Sequence, residues 1–140
     1  MDLILWRHAD AEEGAPDLAR RLTPRGEQQA QRVAAWLRAR LPEHYRVLAS
    51  PAVRAQQTAQ ALRAEVQTVQ ELAPGAPVQA ILRAAGAQGT TVLVGHQPDL
   101  GAAIAYLLCG EERDLGLAKG ALWWLADRAS VRAVISPDLL

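Results

Sequence analysis

The chain has 140 residues, a length that suits one domain spanning 1–140. Fifteen basic residues balance fifteen acidic ones, which argues against a bulk nucleic-acid binder, since those carry a basic excess. No apolar run approaches the ~18 residues of a membrane span, and the first residues lack the basic leader of a signal peptide, so the expected setting is the cytoplasm, away from membranes.

Strand and helix signals alternate along the chain. Leu3-Ile4-Leu5-Trp6 is a short apolar run that suits a buried parallel strand. A polar loop follows, and Thr23-Pro24 reads as an N-cap with proline in the first turn. Ala30, Val33, Ala34, Leu37 and Leu41 recur at helical spacing, and Pro42 closes that helix. Arg46-Val47-Leu48-Ala49 reads as a second strand, and 52–64 as a second helix. A short strand over 66–69 and a helix carrying Val78, Ile81, Leu82 and Ala85 come next. Thr91-Val92-Leu93-Val94 is strongly β-prone, and a fourth helix spans about 98–108. Two strands, 121–125 and Ser130–Ile135, close the chain as a hairpin around Asp127-Arg128-Ala129.

This alternation predicts a three-layer α/β/α fold with a mostly parallel central sheet and one antiparallel edge. Trp6 and Trp36 fall on faces read as core. Trp123 and Trp124 are adjacent on a strand and therefore face opposite sides, which argues for packing and against a nucleic-acid platform. Cys109 is the only cysteine, so no intrachain disulfide forms; it reads as a small core residue.

In open α/β sheets, ligands bind beyond the carboxyl ends of the strands. Strand one ends at Arg7-His8, strand two leads through Ser50-Pro51 to Arg54, and the 91–94 strand leads to His96. Taken singly, either histidine is an ordinary strand-end residue bonded to backbone. Together they bring arginines and imidazoles to one edge of the sheet. Guanidiniums clamp a phosphoryl group with paired, charge-assisted hydrogen bonds, and a neutral imidazole attacks phosphorus. The arginines depress the pKa of His8 and favour its neutral form. A cation at Arg54, in the first turn of a helix, opposes the helix dipole and weighs against a purely structural role. His44, in a loop, reads as solvated surface. A divalent metal would be repelled by the arginines, and no cofactor is called for; glycine-rich nucleotide loops are absent.

Leu5-Trp6-Arg7-His8-Ala9-Asp10 resembles the Arg-His-Gly signature of the histidine phosphatase (phosphoglycerate mutase-like) superfamily. Leu48 to Thr58 resembles its Ser-Pro-x-x-Arg-x-x-x-Thr signature, and Val94-Gly95-His96 its third, in the family's order. Arg20-Arg21-Leu22-Thr23 and Gln70-Glu71-Leu72-Ala73-Pro74 extend the likeness over nearly the whole chain. Its compactness is similar to that of the short, SixA-like phosphohistidine phosphatase branch.

The resemblance implies a phosphoglycerate mutase-like fold and a metal-independent phosphatase. His8 would be the nucleophile, with Arg7, Arg54 and His96 forming the phosphate pocket, Arg20 a fourth phosphate ligand and Glu71 the positional candidate for a general acid. The implied substrate is a phosphohistidine-bearing signalling or phosphotransfer protein. A small phosphorylated metabolite is the alternative, and a non-catalytic phosphoprotein-binding module is a reading of another class. Ala9 stands where the family has glycine, a residue that serves close backbone approach or positive φ.

Overall fold

A computed structural model describes residues 1–140. Six strands form one sheet: β1 (Leu3–Arg7), β2 (Arg46–Ala49), β3 (Gln67–Thr68), β4 (Thr91–Gly95), β5 (Leu122–Ala126) and β6 (Ser130–Ile135). Four helices, α1 (Pro24–Arg38), α2 (Val53–Leu62), α3 (Val78–Ala85) and α4 (Asp99–Cys109), cover it. The spatial order is β3-β2-β4-β1-β5-β6. β3, β2, β4 and β1 run parallel, while β5 lies antiparallel to β1 and to β6.

Alternation along each strand divides the core into two. Leu3, Leu5, Leu48, Leu93 and Leu125 face α3 and α4, meeting Ile81, Leu100 and Ile104. Ile4, Trp6, Val47, Val92 and Trp124 face α1 and α2, meeting Val33, Leu37, Ala59 and Leu62. Trp123 and Trp124 separate onto these two faces, as their adjacency requires.

The boundaries differ where local chemistry overrides periodicity. α1 stops at Arg38 rather than at Leu41: a turn over Ala39-Arg40 follows it, with the Arg40 and Leu41 N–H groups both donating to the Leu37 carbonyl, and Leu41, before Pro42, is kept out of the helix. α2 ends at Leu62, where Arg63 turns extended. β3 shrinks to two exposed residues at the sheet edge. Trp36 is half-buried rather than core; its ring meets Trp124 edge-on at 6.0 Å, and Arg40 covers it at 4.5 Å. Cys109 is exposed, at the last turn of α4 before the left-handed Gly110, so the core reading of that residue is corrected.

The start of α1 is fixed by its cap. Thr23 Oγ1 accepts from the Gly26 N–H at 2.9 Å and donates to Asp10 Oδ2 at 2.8 Å. The helix therefore sits hard against the loop that follows β1. A Cβ on Gly26 would fall 1.9 Å from the Asp10 carbonyl oxygen, so only glycine permits this approach. Gly26→Ala is expected to lower stability by about 1–3 kcal/mol, the range for overpacking, and to displace the loop bearing His8; thermal melts and activity measured together will check both effects.

Candidate active site

The parallel pairing of β1, β4 and β2 brings three strand ends side by side. Arg7 pairs with Gly95 and Ala49 with Val94. The ladder runs on past the strands: His8 N–H donates to the Gly95 carbonyl at 3.0 Å, and Ser50 N–H to the Val94 carbonyl at 3.1 Å. His8, Ser50 and His96 thus leave the same sheet edge together. The His8 and His96 rings lie 5.2 Å apart, tilted by 54°. Arg54 reaches them from the first turn of α2.

The loop carrying His8 is held from several sides. Ala9 N–H donates to Thr58 Oγ1 at 3.0 Å, and Thr58 Oγ1 donates to the Arg54 carbonyl at 2.8 Å. The second signature is thereby tied to the first. Asp10 N–H donates to Gln29 Oε1, and the Asp10 carboxylate accepts from Thr23 and from Lys119 Nζ at 3.0 Å. Those two partners hold the Asp10 carboxyl below the usual range, so it stays charged. Ala9 is fully buried beside Leu22 and Ala30, and its φ is not positive. Alanine therefore satisfies this backbone without strain.

Hydrogen bonds fix both imidazole tautomers. A carbonyl only accepts, so His8 Nδ1 carries the proton it shares with the Ala9 oxygen at 2.7 Å, leaving a lone pair on Nε2. A guanidinium only donates, so His96 Nδ1 accepts from Arg54 Nη2 at 3.3 Å. His96 Nε2–H then donates to Ser50 Oγ at 2.8 Å, and that oxygen also accepts from Ala52 N–H at 3.1 Å.

Burial is the largest cause that lowers the His8 pKa to about 4; Arg54, Arg7 and Arg20 add to it, against the pull of the Ala9 carbonyl. Burial also leads for His96, lowered to about 3, with His8 and Arg54 next. Both rings are neutral at neutral pH.

The arginines differ in their attachments. Arg7 Nη1 donates to the Leu117 carbonyl at 2.8 Å, and its Nε is buried without a protein partner. Arg54 Nη1 donates to the Asp17 carbonyl at 2.9 Å and Nη2 to Asp17 Oδ2 at 3.2 Å; its Nε too is buried and unpaired. Arg20 donates from Nε to Asp17 Oδ1 and from Nη1 to the Glu12 carbonyl. Buried guanidinium N–H groups without partners are costly, and they suit a bound oxyanion.

The structure brings Arg7, His8, Arg54 and His96 together, with Arg20 near enough to act on both rings electrostatically. Glu71 is exposed on the 3-10 turn Gln70–Leu72, and no hydrogen bond or salt bridge joins it to this group. His44 is exposed, as its loop position predicts. No three His, Cys, Asp or Glu side chains converge as a metal site would require. The larger surface hollows, between Tyr45 and Gln67 and beside Asp99, include none of the four central residues. Sequence reasoning assigned no role to Ser50 or Thr58, although both stand in the second signature, and it passed over Asp17. Nothing in the sequence ties that acid to an arginine 37 positions away.

Residues 3–75 match the histidine phosphatase superfamily (branch 1), and the chain belongs to that family. It is a phosphatase with the phosphoglycerate mutase-like α/β fold. Among its relatives is the phosphohistidine phosphatase SixA of Escherichia coli, 32% identical over 123 residues, an alignment covering 79% of this chain and 76% of that protein. An uncharacterized protein of Picosynechococcus sp. is 38% identical, with 86% and 87% covered. The solved structure of the protein histidine phosphatase SixA complexed with tungstate superposes with a TM-score of 0.82 at 25% identity over 99% of both chains.

The pH consequence follows from linkage. An unfolded histidine binds its proton near 6.5, whereas folded His8 and His96 resist until about 4 and about 3. Stability is therefore full above pH 6.5 and falls as pH drops toward 4, by roughly 3 kcal/mol for each ring. NMR titration is expected to show His8 and His96 staying neutral down to about pH 4.

Proposed function

We propose that this phosphatase works through a phosphohistidine intermediate on His8 and removes phosphate from phosphohistidine borne on a signalling or phosphotransfer protein. The observation that carries the reading is the bond from His8 Nδ1–H to the Ala9 carbonyl. It leaves an unprotonated Nε2 in a group whose other members are Arg7, Arg54, Arg20 and His96.

In this reading the guanidiniums hold the phosphoryl oxygens and stabilise the charge that spreads over them in the transition state. His8 Nε2 forms a bond to phosphorus as the substrate's P–N bond breaks, and the departing imidazole leaves protonated. Water then attacks the phosphoryl group, the bond to Nε2 breaks, and inorganic phosphate leaves as His8 returns to its neutral form. His96 stays neutral beside the phosphoryl group and keeps its Nδ1 lone pair on Arg54 Nη2, which holds that guanidinium in place. The cations of the site are side chains, so the reading calls for no metal. In the same reading residues 1–140 act as a single domain in the cytoplasm. No helix is long and apolar enough to cross a membrane.

The choice of a P–N substrate rests on the missing acid. An alkyl phosphate leaves as a basic alkoxide and gains 10²–10⁴-fold from a positioned acid, whereas a protonated imidazole leaves readily. Glu71 makes no bond to the site, and Asp10 is held charged by Thr23 and Lys119. The likeness to phosphohistidine phosphatase SixA supports the same substrate class.

Quenched labelling with a phosphohistidine protein is expected to yield acid-labile, base-stable label on the enzyme, absent in His8→Ala. Label that persists in that variant overturns the nucleophile. Glu71→Gln is expected to leave kcat/KM on the phosphohistidine protein within about twofold. A loss of 10²-fold or more, the size of a general-acid contribution, favours a small-molecule phosphomonoesterase instead.

A further inference from the structure

Arg54 is the most buried cation of the site, with 4% of its surface exposed, yet its side chain is not free. The Asp17 carboxylate bridges two of the arginines assigned to phosphate: Oδ2 accepts from Arg54 Nη2 at 3.2 Å and Oδ1 from Arg20 Nε at 3.1 Å. Two oxygens of one anion on two guanidiniums is the arrangement a phosphoryl group would adopt. Arg54 Nη2 is fully committed, because its second proton goes to His96 Nδ1. A phosphoryl group that pairs with Nη2 must therefore displace one of these acceptors.

Asp17 is the one built to yield. Its side chain is 56% exposed, against 4% for His96. It can rotate into water at little cost, whereas His96 is locked by Ser50. The Asp17 main-chain carbonyl separately holds Arg54 Nη1 at 2.9 Å, so the guanidinium keeps its place when the carboxylate leaves. Burial raises the Asp17 carboxyl, but Arg54 and Arg20 outweigh it and leave its pKa lowered, so the competitor is an anion at every working pH.

We propose that Asp17 is a built-in competitor for the phosphate pocket, a specificity-determining carboxylate that weakens retention of free phosphate and of small phosphoesters. A substrate presented by a protein surface gains docking contacts that free phosphate lacks, so the competition costs it less. After hydrolysis the same carboxylate reclaims Arg54 and Arg20 as phosphate departs. The proposal rests on the phosphatase reading of this pocket.

The test is calorimetric binding of inorganic phosphate and of tungstate to the wild type, Asp17→Asn, Asp17→Ala, Glu13→Gln and Arg54→Ala at 0.15 M and 0.5 M salt. Both Asp17 variants are expected to bind phosphate about tenfold more tightly, the size of one direct charge contact in a partly buried site. The gain should persist at high salt, where long-range repulsion is screened. Glu13→Gln removes a charge from the same loop without touching an arginine and is expected to change binding less than twofold. Steady-state turnover of the Asp17 variants should show stronger inhibition by added phosphate. Equal or weaker phosphate binding in both Asp17 variants overturns the proposal, as does a gain matched by Glu13→Gln or abolished by salt. If Arg54→Ala binds phosphate as well as the wild type does, the pocket itself is misassigned, and that failure is separate from the first.

Discussion

Everything at the site depends on the parallel pairing of β1 with β4. That register sets Arg7 opposite Gly95 and carries the ladder one residue further, to the His8 amide. A slip of one residue would turn Leu3 and Leu5 toward α1 and α2 and send Ile4 and Trp6 to the other face. Because both faces are packed, the two cores fix the register, and the register fixes the distance between the rings. The geometry of the candidate site is thus a by-product of leucine, isoleucine and valine packing some way below it.

The second layer of control is made of hydrogen bonds with only one possible direction. Carbonyls accept and guanidiniums donate, so Ala9 and Arg54 between them leave each imidazole a single neutral tautomer. Ser50 completes the set, accepting from His96 and from the Ala52 amide. Burial then keeps both rings uncharged, which leaves the arginines as the only positive charges around His8. The difference between the two imidazoles follows from donor and acceptor chemistry rather than from any special residue.

Much of this was legible in the sequence. Short β-prone runs ended in Arg7-His8, Ser50 and His96, and the alternation of strands with helices placed those ends on one sheet edge. The proline after Leu41 was equally legible as a helix stop, yet periodicity carried the reading three residues too far. Cys109 reads as core from its apolar neighbours, but it falls on the open side of the last turn of α4. Asp17 was out of reach for a different reason. It sits in a polar loop among other acids, and its meaning comes only from Arg54, which the sheet and α2 bring to it. Gln29 is hidden in the same way, because a neutral side chain bonding a main-chain amide leaves no periodic trace.

Of the 15 basic residues 14 are arginines, and this bias has a further effect at the brace beside His8. Lys119 is the only lysine in the sequence. Its ammonium is half exposed and lies 3.0 Å from the Asp10 carboxylate that steadies the loop after His8 and the start of α1. Reagents or enzymes that acylate amines therefore find one side-chain target on the entire surface. Acylation there removes the positive charge facing Asp10 and reaches the loop that carries His8 directly.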